Sequence, residues 1–213
     1  MLRSHIDHLV VTAPSLATGV EYVQDILGVI LQRGGEHARM STHNALLRLG
    51  PALYLEVIAV NPRAMKPERP RWFELDHLAP HAEPRLATWV ARTNDIRAAA
   101  MASSIPLGAV ESMSRGALSW LITIPPDGSL PHNGIAPSLI EWHTAVHPAG
   151  NLPDTGCSLV KLEGFHPQAD KVADMLRAIA FEDEVFLSLS AGGEAPRLAA
   201  DIQTPAGVRQ LGA

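Results

Sequence analysis

Glu56 stands in the middle of Leu53-Tyr54-Leu55-Glu56-Val57-Ile58-Ala59-Val60, a run that is otherwise apolar apart from a tyrosine. A carboxylate buried in such a run is costly unless it meets a metal ion, a cation or a group that shares its proton. Glu141 has the same problem within Ser138-Leu139-Ile140-Glu141-Trp142-His143. Pairing with an arginine such as Arg48 or Arg115, or exposure to solvent in a cleft, would also answer it. Imidazoles are plentiful, with ten in the chain. His8 lies in an apolar opening run, and His37 and His43 flank the stretch that ends in Asn44. Histidine titrates near neutrality and suits binding or deprotonating a substrate, although a polar loop with satisfied imidazoles reads equally well. His143 follows Glu141 by two residues and so shares its strand face. Arg115 could take a substrate carboxylate bidentately or be a hairpin charge. Trp89, Trp120 and Trp142 could wall a site or fill a core. Glu141, Glu56 and His43 are therefore the candidate catalytic groups. His37, Asn44, Trp89, Arg115, Trp120 and His143 are the candidate substrate contacts. Cys157 sits beside glycine in a linker and reads as incidental.

The elements that must position these residues can be read from periodicity and punctuation. Ile6 to Ala13 is apolar on both faces and predicts a strand inside a sheet. Ser15 is suited to N-cap a helix carrying Leu16, Val20, Val23, Ile26 and Leu27 at helical spacing, and Gly28 to end it. A short strand over 29–32, a turn at Arg33-Gly34-Gly35, and strands over 44–49 and 53–60 complete a β-α-β-β-β module over residues 4–62. Residues 63–85 are rich in proline and charge and predict a linker with one helical turn near Trp72. Residues 86–146 repeat the order: a strand over 86–93, a helix capped by Asn94-Asp95, strands over 108–113 and 118–124, and a last strand over 138–143. Laying the halves together matches Asp7-His8-Leu9-Val10 to Thr88-Trp89-Val90-Ala91 at an offset of 81, and Tyr54-Leu55-Glu56-Val57 to Leu139-Ile140-Glu141-Trp142 at 85. A near-constant offset is the signature of an internal repeat. A shorter third βαβββ-like unit over 157–213 reads as truncated, with a hairpin turn at Ala191-Gly192-Gly193, and would fill out the sheet or cover an edge.

Hydrophobic residues are 46% of the 213 and charged residues 18%. That supports a packed core and argues against disorder. A net charge of -5 without a Lys/Arg block gives no electrostatic reason for nucleic acid or an anionic membrane as a partner. No apolar run reaches the length of a membrane span, and the first residues lack a signal-peptide pattern. With one cysteine no internal disulfide forms, which fits a cytoplasmic setting.

Three stretches carry a family resemblance: Ile6-Asp7-His8-Leu9-Val10-Val11, the segment Gly34-Gly35-Glu36-His37 through Asn44-Ala45-Leu46-Leu47-Arg48-Leu49-Gly50, and Tyr54-Leu55-Glu56-Val57-Ile58-Ala59-Val60. With Met113-Ser114-Arg115 and Leu139-Ile140-Glu141-Trp142, they resemble the glyoxalase-like domain family of the vicinal-oxygen-chelate superfamily over roughly residues 5 to 150. The resemblance implies an α+β fold of tandem βαβββ modules whose curved mixed sheets enclose a cleft. It implies metal ligands from the first and last strand of each module, which here are His8, Glu56 and Glu141. Trp89 falls at the fourth position, where His143 could substitute. A divalent ion such as Mn, Fe, Ni or Zn, and a small oxygenated substrate handled by lyase, isomerase or dioxygenase chemistry, are the implied cofactor and activity. A metal-free binding or sequestering protein of the same fold is the alternative. A monomer or a homodimer would each serve, because two modules can close a cleft within one chain.

Overall fold

Ser15 accepts a hydrogen bond from the Thr18 amide, and Gly28 takes the left-handed conformation with φ 69°. These two residues bracket the first helix as the sequence predicts. The computed structural model, which describes residues 1–190 and 193–212, runs β1 (Ser4–Thr12), α1 (Leu16–Leu27), β2 (Gln32–His37), β3 (Thr42–Gly50), β4 (Leu53–Val60), β5 (Arg85–Thr93), α2 (Ile96–Ala102), β6 (Ala109–Arg115), β7 (Leu118–Ile124) and β8 (Ser138–Trp142). It continues with β9 (Ser158–Phe165), α3 (Ala169–Ala178), β10 (Phe186–Ser188), β11 (Arg197–Thr204) and β12 (Gly207–Leu211). Among the described residues no helix is long and apolar enough to cross a membrane.

The first eight strands form one mixed sheet in the order β2-β3-β4-β1-β5-β8-β7-β6. β1 runs parallel to β4 and β5 parallel to β8, while β1 and β5 pair antiparallel and join the two modules. The sheet curls until its edges approach. Arg39, just past β2, donates to the Ser112 carbonyl on β6 at 2.9 Å and pairs with Glu111. Arg69 from the linker pairs with the same carboxylate. β2 starts at Gln32, where the strand expected over 29–32 should end, and passes through Gly34-Gly35, where a register shift against β3 takes the place of the expected turn. At both positions a side chain has no room. A Cβ on Gly34 would lie 2.0 Å from Asn44 Oδ1, and one on Gly35 would lie 2.8 Å from Arg115 Cδ.

The curl separates two cores. On the convex face Leu9, Val11, Leu55, Val57, Trp89 and Leu139 pack under the helices. On the concave face Val10, Ile58, Val90, Ile122 and Ile140 pack with Trp72 and Phe73 of the linker, which therefore roofs the hollow. The third unit keeps the βαβββ order but pairs differently, as a separate sheet β10-β9-β11-β12. It covers the convex face, where Leu162, Val172, Ile202 and Leu211 share the core of Trp89. Among the described residues its link to the first sheet is an isolated bridge between Phe181 and Ser4, and its strands do not extend that sheet. Residues 191–192 of the expected hairpin lie outside the described residues. The flanking strands β10 and β11 are not neighbours, because β9 lies between them.

Candidate functional site

The hollow is lined by His8 from β1, Asn44 and Leu46 from β3, Tyr54 and Glu56 from β4, Trp120 and Ile122 from β7, and Ile140 and Trp142 from β8. His37 and Arg115 close the seam between β2 and β6, and Trp72 and Phe73 form the roof. Its empty volume, counted out to open solvent, is about 400 Å³, most of it in gaps too narrow for a water. That is room for a few waters as the side chains stand.

The floor is polar. His8 places Nδ1 2.6 Å from Asp7 Oδ1, stacks on Tyr54, and holds Nε2 3.7 Å from Glu56 Oε2. Glu56 is 5% exposed, and its Oε1 accepts from Asn44 Nδ2 at 2.5 Å. Asn44 Oδ1 in turn accepts from the Gly35 amide at 2.7 Å, so the glycine pair fixes the amide that holds the carboxylate. Behind the floor Asp7 is wholly buried and also accepts from Trp142 Nε1 and His147 Nε2, each at 2.9 Å. Burial works against its charge, yet hydrogen bonds from His147 and His8, and their attraction when charged, hold the carboxyl far below the usual carboxylate range.

At the seam Arg115 Nη1 lies 3.1 Å from His37 Nε2 and 3.4 Å from Asn44 Oδ1. A guanidinium only donates, so His37 presents a lone pair at Nε2 and donates from Nδ1 to Thr42 Oγ1 at 3.1 Å. Burial is the main cause that lowers the His37 pKa from 6.5 to about 4; Glu56 opposes the change and Arg115 and His8 add to it. His37 is thus a neutral acceptor that orients a cation. Trp72 packs edge-on against His37, and its buried indole N–H has no partner among the described residues.

A sequence profile of the glyoxalase-like domain matches residues 6–180. The chain belongs to the glyoxalase-like domain family. This glyoxalase-like protein is similar in structure to a hypothetical protein from Staphylococcus aureus, with TM-score 0.58 and 14% identity over 92% of this chain and 81% of the other. It is also similar to a triple mutant of 4-hydroxymandelate synthase from Streptomyces coelicolor, with TM-score 0.51 and 14% identity, covering 100% of this chain and 63% of that one. A methylmalonyl-CoA epimerase from Mycobacterium tuberculosis matches with TM-score 0.44 and 17% identity over 66% of this chain and 87% of the epimerase. At these identities what is shared with the first two is the fold alone. No curated protein matches the sequence.

Four of the residues singled out in the sequence do not line the hollow of the glyoxalase-like protein. Trp89 is fully buried on the convex face, where its Nε1 donates to the Ile135 carbonyl at 2.9 Å and its ring packs on Phe181. Glu141 also leaves the concave face. It accepts from the Ile96 amide at the start of α2 at 2.8 Å and contacts His143 Nε2 at 2.9 Å, and that imidazole is half exposed. His43 alternates with Asn44 along β3 and turns away, near Glu36, Arg33 and Arg63; burial lowers its pKa. For Trp89, Glu141 and His143 the cause is register. β1 and β5 shift against each other between Ile6 and His8 and again between Val10 and Val11, so His8 pairs with Val90. On β8 the concave residues are Ile140 and Trp142. A slip of one residue reverses the face of every side chain on a strand.

Asp7, Tyr54, Trp72, Phe73 and His147 were missed. The signal for Asp7 was present: a carboxylate in an apolar strand, the argument applied to Glu56. Nothing in the sequence links His147 or the roof residues to β1.

The register also decides whether a metal fits. The concave counterparts of His8 and Glu56 in the second module are Val90 and Ile140, which cannot ligate. Among the described residues no group of three His, Cys, Asp or Glu converges. His8, Glu56, whose Oε1 is held by an amide N–H, and His37, whose lone pair faces the Arg115 guanidinium, do not converge into the three-ligand set of a catalytic divalent metal among the described residues. The arrangement can instead accept a proton at the floor and hold an oxyanion at the seam.

Proposed function

We propose that this protein is an enzyme that moves a proton on a small oxygenated compound held in the cleft. The observation that carries this reading is the placement of His8 Nε2 and Glu56 Oε2, 3.7 Å apart and both buried, in one hollow with the Arg115 guanidinium. His8 or Glu56 takes the proton from a carbon or hydroxyl next to a carbonyl. Arg115 and the free Trp72 N–H bind the oxygen on which charge develops. The aromatic rings of Trp72, Phe73, Trp120 and Trp142 exclude water and favour a flat substrate. No step of this reading passes through a metal ion.

The test is solvent deuterium uptake, followed by NMR, into a panel of small 2-oxo acids and hydroxycarbonyl compounds beginning with pyruvate. The expected result is catalysed exchange of at least one compound, reduced about 100-fold or more by Glu56→Gln and by His8→Gln. Metal content is measured separately on protein purified without chelator, and substoichiometric Mn, Fe, Ni and Zn are expected. A stoichiometric ion lost on Glu56→Gln would overturn the metal-free mechanism. The apolar side chains Val90 and Ile140 at the other concave positions favour a second reading, a protein that binds and sequesters a small aromatic compound. Tight binding of such a compound with no exchange in any probe would establish it.

A further inference from the structure

We infer that Asp7 is a positioning residue that fixes His8 in the Nδ1–H tautomer and so keeps Nε2 a free base facing the cleft. The inference rests on the proton-transfer reading above and adds the device that prepares the base. Its geometry lies in how the two Asp7 oxygens are loaded. Among the described residues Oδ1 faces only His8 Nδ1, at 2.6 Å. Oδ2 faces two groups, Trp142 Nε1 and His147 Nε2, each at 2.9 Å. Both must be donors. An indole nitrogen has no lone pair to offer. His147 Nδ1 already accepts from the Ala149 amide at 3.2 Å, so its proton sits on Nε2. Asp7 is wholly buried and Trp142 and His147 come from the end of β8 and the loop after it, so the three donors form a closed box around the carboxylate. An ionised carboxylate only accepts, and the proton between it and His8 therefore belongs to His8.

The unequal loading makes a sharp prediction for Asp7→Asn. The asparagine has one acceptor oxygen and one NH2. Turning the oxygen to His8 would press the NH2 against two N–H groups and leave both unsatisfied in the interior. Turning the oxygen to Trp142 and His147 satisfies both, and sets the NH2 against His8 Nδ1. His8 then moves its proton to Nε2, where it points at Glu56 and can no longer take one from a substrate. Two buried donors outweigh one, so the variant adopts the second arrangement. Loss of the correct tautomer is known to disable a histidine base while leaving its position intact.

The experiment is ¹⁵N NMR of the imidazole nitrogens of His8 at mildly alkaline pH, in the wild type and in Asp7→Asn. The expected wild-type spectrum shows Nδ1 protonated and Nε2 bare, and the variant spectrum the reverse. Any exchange activity found above should fall by about 100-fold or more with KM little changed. A role for Asp7 in folding alone would lower stability without inverting the tautomer. A wild-type spectrum with the proton on Nε2 overturns the inference whatever the chemistry, and this arm stands even where Asp7→Asn does not fold. A correct wild-type tautomer that inverts in the variant, with no exchange in any probe, supports the positioning and refutes the proton-transfer function instead.

Discussion

His37 ties the stability of the fold to pH in a way that can be calculated. Its pKa falls from 6.5 in the unfolded chain to about 4 in the cleft, mainly through burial. The unfolded state therefore binds the extra proton first, and between these two values stability drops as the pH drops. The full effect, complete below the lower pKa, is about 3 kcal/mol. Between pH 7 and pH 5 the same relation gives a loss of about 2 kcal/mol. Partly buried His43 and His132, and buried His166, are also lowered by burial and act in the same sense. The measurement must therefore be a difference. Urea unfolding of the wild type and of His37→Gln is followed at both pH values, and the wild type should lose about 2 kcal/mol more than the variant over this interval. Asp7 does not intrude, because a carboxyl held below its ordinary value loses its stabilising effect only at more acid pH. Equal losses in the two proteins would refute the assignment of His37 as a neutral acceptor of the Arg115 hydrogen bond. An NMR titration placing His37 near 6.5 in the folded protein would do the same.

Three further outcomes follow from the placement of side chains. Glu141→Ala removes the acceptor of the buried Ile96 amide. It should lower stability by about 1–2 kcal/mol while leaving ligand affinity in the cleft unchanged, as read by denaturation and titration calorimetry. Gly34→Ala forces a methyl group into the place of Asn44 Oδ1. It should release the amide from Glu56 and abolish exchange activity with a smaller effect on Tm, which a thermal melt alongside the exchange assay would show. Trp89→Ala should cost about 3–5 kcal/mol as a buried large-to-small change. Trp89→Phe should retain cleft binding, and loss of binding in a folded Trp89→Phe protein would place that ring in the site after all.

Much of this architecture was readable because local signals agreed with the fold. Ser15 and Gly28 mark the ends of α1, and β4 and β7 begin and end where the punctuation puts them. The repeat was visible as well, and so were His8, Glu56, His37, Asn44, Arg115 and Trp120 as residues that meet in one place. What failed was the transfer from one module to the other. Apolar strands buried on both faces give no alternation to fix the pleat. The bulges in β1 and β5 then change which residue faces the cleft without changing the composition of either strand. On the concave face the halves correspond as His8 to Val90 and Glu56 to Ile140, one residue from the alignment that paired His8 with Trp89 and Glu56 with Glu141. The third unit shows the same limit: element order was legible, whereas strand pairing depends on contacts far apart in the chain.

The meeting of β2 with β6 has a mechanical consequence. Arg115 belongs to one margin of the curled sheet and His37 to the other, and the two are joined by a single hydrogen bond inside the hollow. Outside it, Arg39 laces the same margins through Glu111 and the Ser112 carbonyl. Any parting of these margins would draw the guanidinium away from the imidazole and leave its Nη1 without that acceptor.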